Sequence, residues 1–253
     1  MYSSEVLMKY FIDTVETIPE GLGFSPFDST HLTWIALFLI TTLINVLYYR
    51  KANETKRSQW RKIIAVLLVI NELWKMFWLF AGDNYLWTYL PLHLCSINIF
   101  VIAYHAWKPN RLLDAVLYTA CIPGAIAALL FPTWTELPVL NFMHLHSFTV
   151  HITLAMYPIV LTAGGDIHPK VTDIPKVVAM LIIAAIPIYG VNLLLDTNFM
   201  FLMSASKGNP LYIFEQLMGS HLWGFPIIIG ILMPVMFFPW YFYDKHKEKQ
   251  IQN

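Results

Sequence analysis

Seven apolar segments separated by short polar connections dominate this chain. A helix needs roughly 20 predominantly apolar residues to cross about 30 Å of hydrocarbon. The segments that approach this length are residues 32–49, 62–81, 89–107, 112–131, 142–163, 176–195 and 219–243. Because backbone groups in lipid must be hydrogen-bonded within their own segment, helices are expected. The sequence therefore predicts an all-α fold, a polytopic membrane helix bundle with seven transmembrane helices.

The composition supports a membrane protein and argues against a nucleic-acid partner. Hydrophobic residues make up 57% of the chain and charged residues 13%, against about 25% charged residues in soluble domains. The formal net charge is zero, so bulk charge gives no attraction to nucleic acid. Membrane lipids are the expected partners.

Lys and Arg predict the direction of the bundle. Thirteen of the 16 lie in the connections 50–62, 108–111 and 164–176 or in the tail after residue 243. Such positively charged connections face the cytoplasm. With seven spans, the N-terminus is then outside and the C-terminus cytoplasmic, in a multi-pass protein of the cell membrane.

The chain divides into three parts. In residues 1–30, Leu7, Phe11 and Val15 recur at helical spacing, which predicts a short amphipathic helix at the membrane interface, with an unstructured start as the alternative. Residues 31–245 form the seven-helix domain and residues 246–253 a cytoplasmic tail. Residues 1–27 lack the pattern of a cleavable signal peptide.

Polar side chains concentrate in the predicted outer half of five spans. An intramembrane ionisable group costs roughly 2.5–3.5 kcal/mol on insertion, so such groups point to function. On span 5 the spacing of His144, Ser147 and His151 predicts one stripe, while His146 is expected at the interface. A shared polar cavity is predicted from these residues: Glu72, Lys75, His93, Cys95, Asn98, His144, Ser147, His151 and Asn192.

Each group also has a purely structural interpretation. Glu72 and Lys75 could form an ion pair that holds spans together, and Asn98 and Asn192 could hydrogen-bond neighbouring helices. A free cysteine is usually a small buried hydrophobe. We expect that of Cys121, where Pro123 and the small residues around it predict a kinked, closely packed helix.

Cys95 and His151 are the candidate catalytic pair. A thiol attacks only as the thiolate, so it needs a base to take its proton and a nearby cation to stabilise the anion. His151 can supply the first and Lys75 the second. His93 and Asn98 are further candidates to polarise or orient a substrate. A Cys–His pair at this depth suits acyl transfer, because lipid esters lie at a similar depth.

Two other classes of function stay open. His93, His144 and His151, with Glu72 or Asp196, could gather one zinc ion for an intramembrane hydrolase, since such a site needs three protein ligands and an open position. No HxxxH or HExxH spacing supports this on one helix. A small-molecule transporter or a seven-span sensor is the non-enzymatic alternative, although a transporter needs a path to both sides.

Five motifs, in order, resemble the YwaF-like integral membrane family over nearly all of residues 25–245. They are LPLHLCSINIF (90–100), PGAIAALLFP (123–132), HSFTVHITLAMYPIVL (146–161), NLLLDTNFMFL (192–202) and MGSHLWGFP (218–226). The family includes an animal relative of the transmembrane-protein (TMEM) series that is a glycerophospholipid acyltransferase making ether lipids. Its chemistry is assigned to a cysteine in the third-span region and to a histidine in a later span.

The resemblance implies roles for two positions of this chain. The family's histidine corresponds to His151, seven residues before Pro158. The animal cysteine corresponds to Leu92, whereas the thiol here is Cys95, the form typical of bacterial-type members. More distant relatives use a threonine and a histidine. The leading hypothesis is therefore a lipid acyltransferase or lipid ester hydrolase that uses Cys95 and His151, an acyl-donor lipid, and no cofactor or metal.

Pro91 predicts where span 3 begins. Proline suits the first turn of a helix because it has no N–H and a fixed φ, so the helix is expected to start at residues 89–91. Cys95 would then lie just beyond the first turn. We expect its thiol to face the bundle interior, within hydrogen-bond or one-water reach of His151.

Overall fold

A computed structural model describes residues 9–205 and 209–252, with side chains to residue 243. In these residues the secondary structure is helical, and seven helices are long and apolar enough to cross a membrane. This confirms the predicted all-α bundle. The helices are α1 (Ser29–Lys51), α2 (Glu54–Ala81), α3 (Leu94–Trp107), α4 (Arg111–Val116), α5 (Ile122–Leu130), α6 (Phe142–Gly164), α7 (Ile174–Leu195), α8 (Leu211–Met218) and α9 (Gly224–Gln252).

Helix α6 is the centre of the bundle. It packs against α1, α2, α3 and α5, and Phe148, Tyr157 and Leu161 on it are fully buried. By contrast, α7 carries exposed apolar side chains such as Ile183 and Leu194. Since apolar side chains on the outside of a spanning helix face hydrocarbon, α7 contacts lipid while α6 carries the interior.

An ion-pair cluster at one end of the bundle joins α1 and α2 to the end of α6. Arg57 and Arg61 bind the two carboxylate oxygens of Asp166 at 2.7 and 2.8 Å, and the Tyr49 hydroxyl donates to the same carboxylate at 2.6 Å. Gly164 lies against the ring of Tyr49, so closely that an added Cβ would meet ring carbons at 2.6 Å. This end of the bundle is therefore tightly fixed.

The N-terminal segment folds over the opposite end of the bundle. The predicted amphipathic helix falls partly on residues 1–8, which lie outside the described residues; residues 10–28 form turns. The Asn141 side chain donates to the carbonyls of Tyr10 and Asp13, each at 2.8 Å, and the Phe142 N–H donates to the Phe11 carbonyl at 2.7 Å. The segment is thus pinned to the first turn of α6.

Span 3 begins as a helix later than Pro91 predicts. A 3-10 turn (Trp87–Tyr89) is followed by non-helical residues, and α3 starts at Leu94 with His93 as its N-cap. Leu90 has an extended ψ of 143°, as expected because a proline ring disfavours helical geometry in the residue before it. The prediction of a start at 89–91 is wrong, and Cys95 lies inside the first turn of α3.

Span 4 is interrupted next to Pro123, as the sequence indicates. Between α4 and α5 the chain forms a π-helical turn, Leu117–Cys121. Pro123 lacks the N–H that would close the α-helical ladder in this region, and π-turns are a common cause of helix bends. Cys121 is 1% exposed, and its thiol donates to the Leu154 carbonyl at 3.3 Å. It is a packed core residue.

Candidate functional site

A polar cavity of about 250 Å³ lies between the N-terminal segment, α2, α3 and α6. Its wall also includes the turn before α3 and the connection between α5 and α6. Thr14 and Val15 form its roof. The lining residues that carry chemistry are Glu72, Lys75, His93, Cys95, Ser96, His146, Ser147 and His151.

Cys95 and His151 meet in this cavity. The thiol and the imidazole line the same cavity and are close enough to interact electrostatically, and Ser96 lines it beside them. Because Cys95 is in the first turn of α3, it lies beside backbone N–H groups that have no helical partner, and no side chain caps this helix start. The sulfur therefore lies near the positive end of the α3 dipole.

The tautomer of His151 is fixed by its own helix. Nδ1 lies 2.7 Å from the Ser147 carbonyl oxygen, which can only accept, so Nδ1 carries the proton. Nε2 therefore has the lone pair that can take a proton from the thiol. The indole of Trp134 stacks on the imidazole, with ring centroids 5.1 Å apart and planes at 14°, so the ring orientation is fixed as well.

A buried ion pair also lines the cavity. Lys75 and Glu72 are 6% and 4% exposed, and Nζ lies 2.5 Å from Oε1. Nε2 of His146 is 3.6 Å from the other Glu72 oxygen, and its Nδ1 lies 3.1 Å from Oδ1 of Asn71. The prediction that His146 lies at the interface is therefore wrong: it is 7% exposed and lines the cavity.

His93 enters the cavity from the turn before α3. Its Nδ1 accepts a hydrogen bond from the backbone N–H of Met200 at 3.4 Å. Its ring packs edge-on against Phe199, with centroids 5.3 Å apart. His93 and Cys95 thus reach one cavity although they are only two residues apart, because His93 precedes the helix.

Three of the expected cavity residues lie elsewhere. His144 accepts from the Trp34 indole at 2.9 Å and donates toward the Leu137 carbonyl, and it does not line the cavity. Asn192 binds the backbone of Phe199 at the end of α7. Asn98 is 3% exposed and lies below the cavity, and its Oδ1 has no hydrogen-bond partner within the described residues.

The described residues do not form the zinc site that was considered as an alternative. No group of three or more His, Cys, Asp or Glu side chains there is arranged to hold a metal ion, because His144 is bonded to Trp34 and Leu137 instead of joining His93 and His151. The cavity lining, as far as the described residues define it, includes neither Asn98 nor Asn71.

Sequence reasoning missed Trp134, His146 and the roof residues Thr14 and Val15. Trp134 and the roof lie in connections without periodicity, so no spacing rule places them. His146 lines the cavity because α2, with Asn71, packs on that side of α6, and the spacing along α6 does not reveal this neighbour.

The comparison with known families covers the whole bundle. A profile described as the TMEM164 family matches residues 26–244. The chain belongs to the TMEM164 family. No curated protein and no solved structure matches it.

The TMEM164 match includes all seven candidate spans and every cavity residue except the roof. It shows a multi-pass membrane protein of this family, in agreement with the expected kinship to the transmembrane-protein series. Thr14 and Val15 lie before the matched residues.

Proposed function

We propose that this TMEM164-family protein is a membrane-embedded acyltransferase or ester hydrolase acting on lipids, with Cys95 as nucleophile and His151 as general base. The observation that carries the proposal is that one cavity holds the thiol together with an imidazole whose Nδ1–H is held by Ser147. This is the nucleophile–base–orienting-group arrangement of covalent catalysis. The resemblance to the YwaF-like family and its animal acyltransferase supports the same residues.

The reaction follows from these positions. Nε2 of His151 takes the thiol proton, and the sulfur attacks the carbonyl carbon of an ester. The carbonyl electron pair moves to oxygen and then returns, which breaks the bond to the alkoxide. The imidazolium returns the proton to that leaving group. The thioester on Cys95 is then cleaved by a second alcohol in transfer or by water in hydrolysis, with His151 again as the base.

A lipid is the natural source of the ester. The cavity lies between spanning helices whose outer faces are apolar, so substrate that is already in the membrane has the shortest route to it. The ion pair Glu72–Lys75 leaves the charged wall neutral overall, which suits an uncharged ester group. Charged lipid headgroups would stay outside the cavity.

The test is a comparison of lipid profiles and of covalent adducts. Cells expressing the wild type, Cys95→Ala, His151→Ala and Cys121→Ala are compared by lipidomics, with protein level measured in each. We expect a change in acyl composition in the wild type and in Cys121→Ala, and its loss in the other two. Four identical profiles, together with no acyl adduct on Cys95 of purified protein, would contradict the proposal.

A further inference from the structure

We propose, on the premise of the proposed function, that His93 supplies the hydrogen bond that stabilises the oxyanion when the Cys95 sulfur attacks the ester carbonyl. Three observations point to this role: the tautomer in which His93 is held, the free nitrogen it presents, and the structure that holds it in place.

The tautomer is set by a backbone donor. The Met200 N–H points at Nδ1 of His93, and a backbone N–H can only donate. Nδ1 therefore holds a lone pair, so the neutral ring carries its proton on Nε2. Within the part of the chain that the structure describes, no hydrogen bond engages this Nε2–H, although the side chain lines the cavity.

The other candidate donor is already engaged. Lys75 binds Glu72 at 2.5 Å, so a carboxylate neutralises its charge. This ion pair is present both before the attack and during it, so Lys75 has no free charge that would stabilise the transition state more than the bound ester. His93 instead presents an unused N–H on the wall that also holds Cys95. An unused, fixed donor is what stabilises charge that appears only during the reaction.

The segment that holds His93 is strained. Met200 and Phe201 have φ values of 58° and 55°, in the left-handed region that non-glycine residues rarely adopt. Such strain persists only where surrounding structure enforces it, and it concentrates at functional sites. Here it turns the Met200 N–H towards His93.

Asn192 enforces this conformation. It is 1% exposed, its Nδ2 donates to the Phe199 carbonyl at 3.1 Å, and its Oδ1 accepts from the Phe199 N–H at 2.8 Å. The Thr197 hydroxyl donates to the same oxygen at 3.0 Å. Asn192 is therefore a positioning residue that acts on the cavity through Phe199–Phe201 and His93.

The electron movements in this step are balanced without a further reactant. The S–C bond forms as the carbonyl π pair moves to oxygen, and Nε2–H of His93 donates to that oxygen without transferring its proton. When the pair returns, the ester C–O bond breaks and the leaving alkoxide takes its proton from His151. His93 ends the step in its starting state.

The experiment uses the purified full chain in lipid nanodiscs and two reactions of the same thiol. Acylation by p-nitrophenyl butyrate passes through an oxyanion, and release of p-nitrophenolate measures it. Alkylation by iodoacetamide is a displacement at a CH₂ carbon and forms no oxyanion. We expect His93→Phe to slow acylation about 10²–10³-fold, the range for loss of one oxyanion donor, while the alkylation rate is unchanged.

Two further variants exclude a general structural effect. His93→Gln keeps an N–H near the position of Nε2 and should recover much of the acylation rate. His144→Phe makes the same kind of substitution at a buried histidine outside the cavity and should acylate as the wild type does.

Asn192→Ala tests the positioning role. It should slow acylation but not alkylation, and it should add no further loss in the His93→Phe background. An effect of the same size in both backgrounds would remove Asn192 from this role.

The outcomes separate the two proposals. Acylation at the wild-type rate in His93→Phe, or an equal loss of alkylation and acylation, overturns the role of His93 while the Cys95–His151 chemistry stands. A wild-type protein whose Cys95 alkylates but never acylates overturns the proposed function, and the role of His93 with it.

Discussion

Nζ of Lys75 lies 2.5 Å from Oε1 of Glu72, one turn apart on α2 and both nearly inaccessible. Each side chain neutralises the charge of the other inside the bundle. Removing one partner of a buried pair leaves a charge without compensation, whereas replacing both with uncharged groups is often neutral.

We therefore expect Glu72→Gln and Lys75→Met each to destabilise the protein by about 3–5 kcal/mol, and the double variant to recover most of that loss. Thermal unfolding of the purified protein in detergent, followed by tryptophan fluorescence, measures it. The control is Glu54→Gln, which breaks a pair whose carboxylate is 76% exposed; it should cost about 0–1 kcal/mol. If the double variant is no more stable than the less stable of the two single variants, the two side chains do not compensate each other's charge.

Reactivity of the Cys95 thiol should depend on His151. In His151→Asn, the side-chain amide can keep the hydrogen bond to Ser147 but cannot take a proton. Because only the thiolate is nucleophilic, we expect iodoacetamide to alkylate Cys95 at least about tenfold more slowly at neutral pH. Mass spectrometry of the labelled peptide follows the rate.

Cys121 provides the matched control for this measurement. It is buried and bonded to the Leu154 carbonyl, so Cys121→Ala should leave the labelling rate of Cys95 unchanged. Equal rates in His151→Asn and the wild type would mean that the imidazole does not activate the thiol.

The N-terminal segment should control access of water-soluble reagents to the cavity. Asn141 caps α6 through the N–H groups of Met143 and His144 and also holds the carbonyls of Tyr10 and Asp13. Asn141→Ala should release the segment and expose the cavity below Thr14. We expect faster labelling of Cys95 by a cationic, membrane-impermeant methanethiosulfonate.

A second helix cap controls for loss of stability alone. Asn53 caps α2 at the other end of the bundle, and loss of such a cap costs about 1 kcal/mol. Asn53→Ala should therefore leave labelling of Cys95 unchanged. If both cap variants accelerate labelling equally, the effect is global loosening and the roof has no gating role.

Two helical glycines should respond oppositely to alanine. At Gly164 an added Cβ meets the Tyr49 ring at 2.6 Å, whereas at Gly190 nothing lies within 4 Å. Overpacking costs about 1–3 kcal/mol, so Gly164→Ala should lower the unfolding temperature. Gly190→Ala should raise it or leave it unchanged, because alanine favours a helix by up to about 1 kcal/mol over glycine. Two equal shifts would contradict this account of the α6 end.

The spans and their order could be predicted because each depends only on local apolar length. The approach of Cys95 and His151 was expected from their depth, and the structure brings them together; their catalytic roles stay predictions. The depth of a residue in the membrane follows from its position along its span, and that position can be read from the sequence.

The rest of the site depends on how helices are rotated and on connections without a repeat. His144 was expected in the cavity and His146 outside it, but the reverse is found. Trp34 of α1 lies against His144 on one flank of α6, and Asn71 of α2 lies against His146 on the other. No spacing within α6 reveals which neighbour takes which flank. The left-handed residues Met200 and Phe201 carry no sequence signal of that conformation, since such strain is enforced by tertiary contacts.

The place of α6 in the chain, as the fifth of seven candidate spans, also sets the order in which the cavity is completed during synthesis. Four spans leave the ribosome before α6, so Glu72, Lys75 and Cys95 are already in the chain when His151 is inserted. Asn192 and Phe199–Phe201 are translated only afterwards. A nascent chain therefore holds Cys95 and His151 before it has the segment that hydrogen-bonds His93, so the cavity is completed only when the C-terminal part of the bundle has been made.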